Sequence, residues 1–62
     1  MWTVIYIASN EEQAERIQER LSAEGFMVDV RQAKAARKQY EILVPESEVE
    51  EVQEVLSSIL HS

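Results

Sequence analysis

Residues 26–45 read FMVDVRQAKAARKQYEILVP. Phe26, Val28 and Val30 alternate with Met27, Asp29 and Arg31, and Tyr40, Ile42 and Val44 alternate with Glu41 and Leu43. A two-residue period of this kind marks strands with one face against a core. The first run ends near Gln32, and Pro45 closes the second because it has no N–H to give to a ladder. Between them, Ala33-Lys34-Ala35-Ala36-Arg37-Lys38 is too long and too poor in Gly for a tight two-residue turn, so a mobile or partly helical connection is expected. Two strands joined in this way make a hairpin.

Upstream, Trp2 to Ala8 (WTVIYIA) is rich in β-branched and aromatic residues and reads as another strand. Ser9-Asn10-Glu11-Glu12 follows with the spacing of a capping box, in which Ser9 accepts from the N–H of Glu12. Ala14, Ile17 and Leu21 then recur at helical spacing, and Gly25 stands where a left-handed residue stops a helix, which gives a first helix over about 10–24. Downstream, Ser47-Glu48-Val49-Glu50 repeats the capping-box spacing. Val49, Val52, Leu56 and Ile59 form an apolar stripe over a second helix of about 48–60.

The order is therefore β-α-β-β-α in a single domain, 1–62, of α+β class. A right-handed crossover sets the second strand parallel to the first, and the hairpin returns the third antiparallel. Two helices with one apolar stripe each then cover one face of a three-stranded mixed sheet. Strand order 1-3-2, a truncated ferredoxin-like fold, is the expected arrangement, and the simple order 1-2-3 is the alternative. The expected core is Val4, Tyr6, Ala14, Ile17, Leu21, Phe26, Val28, Val30, Ile42, Val44, Val52, Leu56 and Ile59.

The chain has 62 residues, no Cys and a formal charge of -6 from twelve acids and six bases. A core this small has no disulfide to support it. The lack of Cys leaves no disulfide framework or zinc ribbon and suits a reducing compartment. No apolar run approaches the ~18 residues of a membrane span, and Met1-Trp2-Thr3 lacks the basic region of a signal peptide. A cytoplasmic location is expected, with no membrane partner. The excess of acid argues against nucleic acid as a partner.

A catalytic constellation is hard to assemble from these residues. The one His, His61, lies beside the end of the sequence, and the one Gly, Gly25, is explained as a helix stop, which leaves no phosphate loop. Glu46, Glu48, Glu50, Glu51 and Glu54 sit in or near the first turns of the second helix, where its dipole favours anions. Neither an enzyme, a cofactor nor a metal is expected. Two surfaces remain as candidates. Arg31, Lys34, Arg37 and Lys38, four of the six bases, gather at the hairpin connection and could meet an anionic ligand or an acidic partner. The sheet face away from the helices is expected to expose Thr3, Ile5, Ile7, Met27 and Leu43, and the first strand is an edge without the charges or Pro that blunt edges.

The stretches VIYIA, SNEEQAERIQERLSAEG and EILVPESEVEEVQEVL resemble a family of small prokaryotic proteins of unknown function described as signal-transducing. Ala14, Ile17, Leu21, Gly25 and Pro45 carry the likeness. It implies the truncated ferredoxin-like fold and no catalytic residue. The name glutamate decarboxylase, which some members of that family bear, is a misnomer here. Such an enzyme needs a lysine Schiff base in a large pyridoxal-phosphate fold, and Lys34 and Lys38 both lie in the hairpin connection. The expected function is a non-enzymatic interaction or regulatory module that associates with itself or with another protein. The alternative is a sensor that binds a phosphate-bearing metabolite or nucleotide at residues 31–38.

Overall fold

The computed structural model describes residues 1–34 and 38–61. Its elements are β1 (Trp2–Ala8), α1 (Glu11–Ala23), β2 (Asp29–Gln32), β3 (Tyr40–Pro45), a single 3-10 turn (Glu46–Glu48) and α2 (Val49–Leu60). The sheet order is β1-β3-β2, the split arrangement. Both pairs of neighbours are antiparallel, so the sheet is antiparallel throughout rather than mixed. β1 and β2 do run parallel to each other, but β3 lies between them.

Both ends of α1 have a local explanation. Asn10 is its N-cap, accepting from the Gln13 N–H at 2.7 Å, while Gln13 Oε1 accepts from the Ser9 N–H at 3.1 Å. The N-cap thus sits one residue later than the Ser9–Glu12 spacing suggests, and the Gln13 side chain reaches back past it to the Ser9 N–H, one residue before the N–H that a capping box engages. At the other end, Phe26 N–H donates to Leu21 O and Gly25 N–H to Ser22 O, with Gly25 at φ +93. This is the Schellman closure, and it needs a residue free to adopt a left-handed backbone. Before α2 no side-chain cap forms, since the 3-10 turn occupies the place of the expected Ser47–Glu50 box.

β2 is shorter than its alternation suggests, beginning at Asp29 rather than Phe26. Ala33 N–H donates to Gln39 O, so by the parity of an antiparallel ladder the bonded pairs continue through Arg31–Glu41 and Asp29–Leu43 to Met27–Pro45. Pro45 cannot donate there, and the ladder stops.

The decisive departure from simple alternation lies in β1. Thr3 faces Val44 and Val4 faces Leu43, but Tyr6 faces Ile42, so Ile5 is an extra residue in a β-bulge. Beyond the bulge the faces exchange. Val44 and Ile42 are buried under the helices, so Thr3, Tyr6 and Ala8 share the helix side, and Ile5 also packs against the core. Val4, expected in the core, lies on the opposite face and is 43% exposed. Thr3 and Ile5, expected on that open face, are not on it.

Ala8, Ala14, Ile17, Leu21, Ile42, Val44, Val52 and Leu56 form the buried cluster, with Tyr6, Phe26, Val28, Val30 and Ile59 half-buried around it. Among the described residues no polar or charged side chain is buried. None of the described helices is long and apolar enough to cross a membrane.

Candidate functional site

The helices lie on one side of the sheet only, and the other side has no cover among the described residues. On each strand the residues that point there follow from the register. Trp2, Val4 and Ile7 come from β1, Glu41, Leu43 and Pro45 from β3, and Asp29 and Arg31 from β2. Met27 extends the β2 row, because Phe26 and Val28 on either side of it pack against the core while Met27 is 61% exposed. Leu43 sits at the centre and is buried at 6% exposure, flanked by Val4 and Asp29. Apart from Met1 and Leu60, the exposed large apolar side chains of the described residues are Trp2, Val4, Ile7 and Met27, all on this face. That concentration distinguishes it from the scattered apolar residues of an ordinary surface.

The charges on the face are few. Arg31 Nε donates to Asp29 Oδ2 at 3.1 Å, so the two offset each other within β2. Glu41, half-buried on β3, is the remaining carboxylate.

Of the residues expected to associate, Ile7, Met27 and Leu43 are brought together here, whereas Thr3 and Ile5 turn to the helix side. Trp2 and Val4 take their place. No residue type marks that exchange, since every position from Val4 to Ala8 is apolar or, at Tyr6, amphipathic, and fits either face.

Of the basic group, Arg31 and Lys34 share one part of the surface. Arg31 is engaged with Asp29, Lys34 and Lys38 are exposed, and Arg37, with Ala35 and Ala36, lies outside the described residues. A shallow hollow of about 420 Å³ opens at this end of the sheet, lined by Ile7, Arg31, Gln32, Ala33, Lys34, Gln39 and Glu41. Its two cations share it with the Glu41 carboxylate, which repels an anion, so charge alone does not make it a phosphate cradle. Among the described residues no cluster of three or more His, Asp or Glu side chains could hold a metal ion.

Comparison with known protein families, with curated proteins and with solved structures yields no match to the chain.

Proposed function

We propose that this chain is a non-enzymatic interaction module of regulatory type that associates with copies of itself. One observation carries the reading: Trp2, Val4, Ile7 and Met27 surround Leu43 on a sheet face that the helices leave bare. Covering such a cluster removes apolar surface from water, at about 25 cal/mol per Å² before the costs of association are subtracted. Two routes to self-association are open, through this face or along the free edge of β1. Membership in the family of small signal-transducing proteins, and a cytoplasmic location, belong to the same proposal. The first is supported by the quoted stretches around Gly25 and Pro45, and the second is compatible with the lack of Cys.

Light scattering on a sizing column, from low micromolar to near-millimolar protein, tests the reading. The expected result is a mass that rises above that of one chain with concentration. A mass that stays at one chain throughout, unchanged by Ile7→Lys, removes self-association.

The hollow beside Arg31 and Lys34 favours a second reading, a sensor for a phosphate-bearing metabolite or nucleotide. It ranks below the first because Arg31 is already paired and Glu41 stands in the wall. Thermal shifts with a panel of nucleotides and sugar phosphates that vanish in Lys34→Ala would support it.

A further inference from the structure

We infer that two copies associate face to face, with their bare sheet faces against each other and their helices outermost, rather than by joining β1 edges. The inference rests on the self-association just proposed and decides between its two routes.

The bulge speaks against the edge. Residues whose side chains point to the bare face are those whose N–H and C=O groups point away from β3 on an edge strand. On β1 these are Trp2, Val4 and Ile7. Their spacing is two and then three, because Ile5 is extra. An incoming strand of ordinary two-residue repeat stays in register with Trp2 and Val4 or with Ile7, not with all three. A bulge on an edge strand is itself one of the devices by which sheets refuse a neighbour.

Charge points the same way when the occupant is a second copy. Each chain carries -6, so two copies attract only where that charge is absent. Glu11, Glu12, Glu15 and Glu19 ride on α1 against Arg16 and Arg20, and Glu50, Glu51 and Glu54 ride on α2 with no base. Joining β1 edges about a two-fold axis makes one continuous sheet with both acidic helix layers side by side on the same surface. Stacking the bare faces instead sets the sheets ~10 Å apart and the helix layers beyond them, farther apart than the ~8 Å screening length of physiological salt. The face itself keeps one unpaired carboxylate, Glu41, since Asp29 and Arg31 offset each other.

The area is adequate for a weak dimer. The Cα envelope measures 29 × 28 × 16 Å, the short dimension matching one helix layer on one sheet. A face of roughly 600 Å² on each copy gives ~1,200 Å² in total, the lower limit of a specific interface. Association in the micromolar to millimolar range is expected, with the two-fold symmetry of an isologous pair.

Three variants of the full chain separate the routes, each first checked by circular dichroism for native folding. Val4→Lys and Ile7→Lys place a charge on the face and keep the backbone. Each is expected to raise the dimer dissociation constant by roughly tenfold or more. Val4→Pro removes the outward N–H of an edge residue, where proline is tolerated, and keeps an apolar side chain; it is expected to dimerise within about threefold of the parent. Isotope-filtered NOEs between labelled and unlabelled copies should connect the side chains of Val4, Ile7, Met27 and Leu43. A dimer that survives both lysines and is lost in Val4→Pro, with intermolecular backbone contacts along β1, overturns the face-to-face arrangement and leaves self-association standing. A parent that is monomeric to near-millimolar concentration overturns both and assigns the face to a different protein.

Discussion

The backbone N–H of Met27 donates to Glu48 Oε1 at 3.3 Å, joining the segment before β2 to the turn before α2 across 21 positions of sequence. The last paired residues of the β2–β3 ladder at this end are Asp29 and Leu43, so beyond it a side chain supplies the acceptor for this N–H. Glu48→Ala should therefore cost about 0.5–1.5 kcal/mol in chemical denaturation and speed hydrogen exchange at the Met27 amide. Glu48→Gln keeps an acceptor oxygen and should retain most of both. Equal exchange at Met27 in all three proteins would remove this role.

Ile17 and Leu56 lie at the centre of the helix–sheet cluster, at 1% and 6% exposure. Truncating either to Ala should cost ~2–5 kcal/mol, a large share of what a domain this small holds. Losses under about 1 kcal/mol in both would mean that the helices do not bury these faces.

Val4 and Ile5 are adjacent and chemically alike, yet the bulge separates their environments. Ile5→Lys forces a charge against the core and should destabilise the fold by ~2 kcal/mol or more. Val4→Lys, on the bare face, should change monomer stability by no more than about 0.5 kcal/mol. Urea melts at a concentration too low for association compare them. The reverse ranking would mean that β1 runs without the bulge.

Gly25 tests backbone conformation in isolation. A Cβ built on it meets nothing within 4 Å, so the cost of Gly25→Ala arises only from its φ of +93. About 1–2 kcal/mol should be lost, and Gly25→Asn should lose less because Asn tolerates the left-handed region better. An unchanged melting temperature in Gly25→Ala would show that the Schellman closure can be replaced at no cost.

Much of this architecture was legible in the residues. The stripes Ala14-Ile17-Leu21 and Val52-Leu56, the alternation from Tyr40 to Val44 and the helix stop at Gly25 each leave a periodic or steric signature, and the topology rules allow few ways to join them. The bulge at Ile5 leaves none. Alternation can be read only where polar residues mark the outward positions, and after Thr3 β1 has no polar residue other than Tyr6 before Ser9. Simple alternation therefore places Ile7, Met27 and Leu43 on the bare face correctly, but adds Thr3 and Ile5 where the bulge puts Trp2 and Val4. The truncated start of β2 has a similar cause, since Phe26 and Val28 pack against the core as strand residues do while their ladder is cut by a proline some twenty positions away.

The central position of β3 also sets a timetable. Among the described residues β1 has no strand neighbour except β3, so WTVIYIA cannot pair until the chain as far as Pro45 is free to fold. Until then the most apolar segment of the chain has only α1 to shelter it. A refolding chain is thus most open to misassociation before the hairpin forms, and substitutions that slow β2–β3 pairing should lower the yield of refolded protein even where the final stability is unchanged.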